Sequence, residues 1–200
     1  WFEEYARWLD IMGISCDTIN ALTNYEHGRC IAGSSKPRDE TGKMLDISKW
    51  SKEFNILFKV NTVVTARNKD EDMSAFINKL NPMRWKVFQV LALEGENYND
   101  EFNKVKELEV TKQEFDRYIE RNKLGLNDPT IIVPEDNKTM QSSYILIDEY
   151  GRFLDCSSGS KLPTRSILDV GLEEAYNDLY FDKKMFHMRG GYYPEKWAKK

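Results

Sequence analysis

The chain has 200 residues, 40% hydrophobic and 31% charged, which is enough for a globular domain with a real core and unlike a disordered, collagenous or disulfide-scaffold sequence. The formal net charge of −4 excludes a global basic field for nucleic acid, so any anion site has to be local. No apolar run approaches the ~20 residues of a membrane span, and there is no signal peptide. The first residue is Trp1 and no N-cap precedes Phe2-Glu3-Glu4-Tyr5, so the chain reads as beginning inside a domain.

In chain order the first element is the short apolar run Leu9–Ser15, left through Cys16-Asp17 as a turn-like exit. A helical segment follows over Ile47–Phe54 and its approach. Phe54–Val64 is a second strand, rich in β-branched and aromatic residues. Glu71–Leu80 places Met73, Phe76, Ile77 and Leu80 on one helical face and ends at Asn81-Pro82. Trp85–Leu93 is a third strand. Thr111–Lys123 opens with a Thr111-to-Glu114 capping box and buries Phe115, Tyr118 and Ile119. Thr130–Val133 is a fourth strand, stopped by Pro134. Near-continuous apolar strands alternating with helices predict an α/β fold with a parallel sheet, either an open barrel or a doubly wound sheet.

After Pro134 the pattern changes. Ser143–Asp148 and Arg152–Cys156 flank Glu149-Tyr150-Gly151 and read as an antiparallel hairpin. Short helices are expected around Leu172–Tyr176 and Asp182–Met188. The simplest organisation is one domain over 1–134 and a C-terminal extension over 135–200.

The most informative residues sit where an apolar strand should not carry charge. Lys59 and Asn61 are two apart in FKVN, and Arg84 and Lys86 are two apart in RWKV. Positions i and i+2 share a face, so each strand sends polar groups one way and Phe58 and Val60, or Trp85 and Val87, the other. Buried cations cost several kcal/mol unless paired, and the acids Glu94 and Glu96 fall at or beyond the strand end. A multiply charged anion such as a triphosphate resolves that conflict; a solvated barrel mouth with scattered cations is the bland alternative. No glycine-rich phosphate loop is present, which disfavours a phosphoryl-transfer enzyme and leaves side chains on strands to make any phosphate site.

The remaining chemistry-bearing residues read as structural. Cys16, Cys30 and Cys156 are widely spaced and read as reduced thiols rather than a disulfide, a zinc site or a cluster motif. His27 and His187 have no partner ligand at helical spacing. Asp10 and Asp17 read as cap or turn residues, Asp148-Glu149 as turn acids, and Arg29 and Arg189 as loop arginines beside glycine.

The stretches LDIMGISCD, FKVN, Asp70-Glu71-Asp72-Met73, LNPMRWKVFQVLALEGEN, VPEDNKTMQSSYILIDEYGRFLDC, KLPTRSILDVGLEEA and FDKKMFHMRGG occur in order over nearly the whole chain. Together they resemble the C-terminal two-thirds of the viperin-type radical S-adenosylmethionine (SAM) enzymes. Residues 113–127 and the last nine match poorly. The resemblance implies a partial (β/α)6 barrel, lacking its N-terminal strands here, with an extension that closes over the nucleotide. It implies a 4Fe–4S cluster on a Cys-x-x-x-Cys-x-x-Cys loop and SAM as cofactors. An electron would cleave SAM, the resulting radical would take the 4′ hydrogen of a ribonucleoside triphosphate (CTP, or UTP or GTP), and loss of the 3′ hydroxyl as water would give a 3′-deoxy-3′,4′-didehydro nucleotide. That product is a chain terminator of viral RNA synthesis, which makes the implied enzyme an antiviral, innate-immune lyase.

Carried over residue by residue, Ser15 and Arg29 match SAM contacts. Lys59, Asn61, Arg84 and Lys86 match nucleotide-facing residues. Lys161 and Arg189 match cations closing over the phosphates, and Tyr144 matches a tyrosine near the ribose, a hydrogen or proton donor. The implied partners are cluster-delivery factors and an electron donor, with no direct nucleic-acid binding. The implied location is cytoplasmic, or the cytosolic face of the endoplasmic reticulum or lipid droplets where an animal-type N-terminal helix supplies membrane contact. The cysteine motif, the first strands, that helix and the family's C-terminal end, in place of which Trp197-Ala198-Lys199-Lys200 stands, depart from the pattern. This chain alone is therefore expected to be inactive, and a cluster-less module binding nucleotide or partner proteins is the alternative reading.

Overall fold

The computed structural model describes residues 1–30, 33–34, 36–92 and 105–193. Leu93, the acids Glu94 and Glu96, and Trp197 lie outside the described residues, and the third strand, expected to run to Leu93, already ends at Gln89. The chain divides into two compact units, residues 1–90 with 108–134 and 193–200, and residues 91–107 with 135–192.

The first unit is built on strands β1 (Ile11–Ser15), β2 (Leu57–Val64), β3 (Arg84–Gln89) and β4 (Ile132–Glu135), hydrogen-bonded in that order as a parallel four-stranded sheet. Helix α1 (Phe2–Tyr5) precedes β1, and between the strands lie α2 (Ala21–Glu26), α3 (Thr41–Glu53), α4 (Ser74–Leu80) and α5 (Lys112–Gly125). Helix α3 packs on β2, α5 packs on β3, and α4 bridges α3 and α5. Val60, Val64, Met73, Ile77, Leu80, Trp85, Val87, Phe115 and Tyr118 are buried in this layer. Full burial of one such side chain stabilises by roughly 1.5–3 kcal/mol. Trp85 Nε1 donates to Thr62 Oγ1 at 2.8 Å, so the indole keeps its polar atom satisfied inside the core.

Local chemistry explains the element ends. The capping box of α5 is formed: Thr111 accepts from the Glu114 amide while Glu114 Oε2 accepts from the Thr111 amide at 2.9 Å. Asn81, with φ of 47°, caps α4 in the left-handed conformation that asparagine tolerates. Several boundaries differ from the sequence reading: β1 starts at Ile11, β3 runs from Arg84 to Gln89, and three others have a local cause. Phe54 caps α3 rather than opening β2, because Asn55 at φ 54° turns the chain first. Helix α4 starts at Ser74, where Asp72 and Asn122 accept from the Ser74 and Met73 amides and hold the preceding residues in a turn. Pro134 does not stop β4, which runs on to Glu135; β4 ends the strand order, and an edge strand is where proline is tolerated.

The second unit carries α6 (Asn137–Met140), β5 (Arg152–Asp155), β6 (Leu162–Ser166), α7 (Ile167–Val170), α8 (Leu172–Asn177) and α9 (Lys183–Met188). The antiparallel pair is β5 with β6, with an irregularity between Arg152 and Leu154. The expected hairpin partner, Ser143–Asp148, contributes the single bridge Ile147 to Phe153 and amide bonds at Asp148 and Leu154. Phe153, Ala175 and Leu179 are the buried centre, packed against Ile167, Val170, Tyr176 and Phe181.

Candidate functional site

The parity argument holds in three dimensions because the strands are in register. Lys59 pairs with Arg84 and Asn61 with Lys86 across β2 and β3, while Gly13 pairs with Lys59 and Ser15 with Asn61 across β1 and β2. Adjacent strands lie about 4.8 Å apart, so Gly13, Lys59 and Arg84 form one row and Ser15, Asn61 and Lys86 the next. Phe58, Val60, Trp85 and Val87 take the other face and are buried. The Lys59 side chain lies across β1 beside Gly13, where a Cβ would come within 3.4 Å of Lys59 Cε.

Arg84 and Lys86 are 7% and 6% exposed. Tyr193 faces the first row: Lys59 Nζ donates to its hydroxyl at 3.2 Å, and the Arg84 guanidinium lies 4.7 Å from its ring centroid. In the second row, Asn61 Oδ1 is buried with no hydrogen-bond partner among the described residues. A buried carbonyl oxygen left unsatisfied costs ~1–3 kcal/mol, which a ligand N–H or O–H would recover. The face thus combines cations for an anion with one acceptor for a hydroxyl or amine.

At the strand ends, Asp17 is the organiser. Its Oδ1 accepts from the Val63 amide at 2.8 Å, and its Oδ2 takes Arg29 Nε at 2.7 Å and Nη2 at 2.5 Å. Asn68 Nδ2 donates to the carbonyls of Asp17 and Val63, which ties the ends of β1 and β2 together. Arg29 is therefore a placed cation, and it lines a cavity of about 370 Å³ with Ser15, Asn24, Glu40 and Lys43. A guanidinium, an ammonium, a hydroxyl and a carboxylate around one cavity suit a zwitterionic amino-acid ligand, so these residues fit SAM. His27 Nε2 lies 2.9 Å from Thr65 Oγ1, and burial lowers its pKa, a structural role as expected.

The cysteines do not fit a cluster. Cys16 is buried, and burial first, then the charges of Asp17 and Glu71, push its thiol up to about 12, away from the thiolate a metal needs. Cys30 is exposed, Cys156 belongs to the second unit, and among the described residues none of the three is in a disulfide. Among the described residues no group of three His, Cys, Asp or Glu side chains could hold a metal.

In the second unit, Tyr144 and Lys161 line a cavity of about 440 Å³ with Cys156 and Asn137. Tyr144 Oη donates to Glu135 Oε2 at 2.6 Å. Arg189 is buried: Nε and Nη2 donate to the Ser143 carbonyl, Nη1 lies 3.6 Å from Glu135 Oε1, and the guanidinium lies 3.7 Å from the Tyr144 ring centroid. Arg189 is thus no loose loop arginine. Sequence reading missed Glu135, Asp17 as an anchor, Asn68 and Tyr193. Glu135 sits in an acidic Pro-Glu-Asp stretch that looks like a loop, and the pairings of Asp17, Asn68 and Tyr193 are made across long sequence separations. None of the four carried a local cue that singles it out.

Fold and site together define an α/β protein whose parallel sheet presents a cation-lined face. No family model matches the chain. It is 43% identical over its whole length to a protein of Oncorhynchus mykiss named "S-adenosylmethionine-dependent nucleotide dehydratase RSAD2", covering 55% of that protein, and 44% identical to one of the same name from Danio rerio, covering 53%. A Flammeovirga pacifica protein named S-adenosylmethionine-dependent nucleotide dehydratase is 32% identical over 93% of the chain and 60% of its own length. Along its whole length the chain is homologous to the viperin-type nucleotide dehydratases, and it spans about half the length of the curated relatives it matches. No helix among the described residues is long and apolar enough to cross a membrane.

Proposed function

We propose that this chain forms the substrate-facing and SAM-facing portion of a radical SAM nucleotide dehydratase, a lyase that converts a ribonucleoside triphosphate (CTP, or UTP or GTP) to its 3′-deoxy-3′,4′-didehydro form. The observation that carries the reading is the in-register pairing of Lys59 with Arg84 and Asn61 with Lys86 on one sheet face. Lys59, Arg84 and Lys86 bind phosphate oxygens, and Asn61 accepts from a hydroxyl or amine of the same nucleotide. Lys161 and Arg189 add charge to the phosphates, and Tyr144 stands at the ribose. Ser15 and Arg29 hold the carboxylate and ribose of SAM, which supplies the hydrogen-abstracting chemistry when bound. The sheet is one side of a partial barrel, which its uninterrupted strand order supports. The cluster ligands come from outside this chain, so the chain alone binds substrate without turning it over. The chain-terminating product gives the protein an antiviral role, exercised in the cytoplasm.

The test is anaerobic reconstitution of the full-length protein with iron, sulfide, SAM and a reductant, then incubation with CTP, UTP, GTP and ATP in turn. Formation of 5′-deoxyadenosine together with a dehydrated nucleotide is the expected result. Binding of triphosphate with no 5′-deoxyadenosine from any of the four would leave a cluster-less nucleotide-binding module instead.

A further inference from the structure

Glu135 has no part in the reading above. It closes β4, its side chain is 0% exposed, and burying a carboxylate costs several kcal/mol unless it is paired and hydrogen-bonded. Two groups meet it. The Tyr144 hydroxyl donates to Oε2 at 2.6 Å, and Arg189 Nη1 lies 3.6 Å from Oε1. The same guanidinium covers the Tyr144 ring at 3.7 Å and is itself fixed by two bonds to the Ser143 carbonyl, the residue next to Tyr144 in the chain. Tyr144 is therefore gripped twice, by a cation on its ring face and by a carboxylate on its hydroxyl. The first grip sets the tilt of the ring. The second sets the direction of the O–H bond, which would otherwise rotate to suit any acceptor. Tyr144 meanwhile lines the cavity shared with Lys161.

We infer that Glu135 is a positioning residue for the dehydration: acting through Tyr144 and Arg189, it holds Tyr144, which lines the Lys161 cavity, in one orientation. The inference rests on the function proposed above. An ordinary buried ion pair kept for folding would use the same contacts, so the test has to separate the two.

The experiment uses the full-length, reconstituted protein and the triphosphate the wild type turns over. Wild type, Glu135→Gln, Glu135→Asp, Tyr144→Phe and the Glu135→Gln/Tyr144→Phe double variant are compared for kcat and KM. Triphosphate Kd is measured by calorimetry without reductant, and the pH profile of kcat is recorded. Glu135→Gln should lower kcat by roughly ten- to a hundredfold, the scale of a small misplacement, while Kd stays within about threefold of wild type. Tyr144→Phe should lower kcat similarly, and the double variant should fall no further than the worse single variant, because both act through one hydroxyl. Glu135→Asp keeps the carboxylate and should retain more kcat than Glu135→Gln together with the wild-type pH profile; it also decides the matter should Glu135→Gln fail to fold. A Glu135→Gln kcat within about twofold of wild type, losses that multiply in the double variant, or kcat and Kd falling in parallel would each overturn the inference while leaving the proposed function standing. A wild type that turns over none of the four triphosphates would overturn both.

Discussion

The two units place positive charge by different means. In the first, cations stand on neighbouring parallel strands, and register alone brings Lys59 beside Arg84 and Lys86 beside Asn61, with the Tyr193 ring against the first row. In the second, Arg189 is locked by a buried carboxylate, a phenol ring and a backbone carbonyl. Strand pairing fixes where a side chain starts and leaves its end to the ligand. A closed network fixes the end itself. The first arrangement suits recognition of a flexible polyanion, and the second suits holding one group still.

Removing a member should therefore cost stability in the second unit and binding in the first. The largest effect expected is from Glu135→Ala, which strands a buried guanidinium; about 3–5 kcal/mol of unfolding free energy should be lost, read by urea denaturation. A loss below about 1 kcal/mol would erase the contrast between the units. Next is Lys86→Ala, which should weaken triphosphate binding by roughly ten- to a hundredfold in calorimetry while leaving the urea midpoint near wild type. Unchanged binding would remove the sheet face from the site. Arg29→Ala should weaken SAM binding by about tenfold, and Asp17 should keep its bond from the Val63 amide, so stability should change less than affinity.

The smallest effect concerns acid stability of the first unit. The ion-pair hydrogen bond from Lys69, then the bonds from Thr111, hold the Glu114 carboxyl at about 2, below its ordinary 4.5. A depressed carboxyl stabilises the fold above its unfolded pKa, and that contribution is lost as pH falls from about 4.5 towards 2. Glu114→Gln should flatten this part of the stability–pH curve, measured as urea midpoint against pH. An unchanged curve would assign the acid sensitivity to other carboxylates.

How far the sequence could be read follows from the range of each interaction. Parity along FKVN and RWKV is local, so the shared face of Lys59, Asn61, Arg84 and Lys86 was legible, as were the Thr111–Glu114 capping box and the Asn81-Pro82 helix end. The hairpin was placed one segment early because a turn signal such as Glu149-Tyr150-Gly151 marks a reversal without naming which neighbour pairs more fully. The Arg29–Asp17 and Arg189–Glu135 pairs span a dozen residues or more, and no local pattern announces them.

By itself the sequence determined the α/β alternation, the parity of the cation rows and the homology, because these rest on periodicity and on contiguous motifs. Only the tertiary structure decided that the rows stand in register, that Asp17 anchors Arg29 at the strand ends, and that a fully buried Glu135 grips Tyr144 and Arg189. Those are contacts between residues far apart in the chain, and they exist only once the backbone has closed the distance between them.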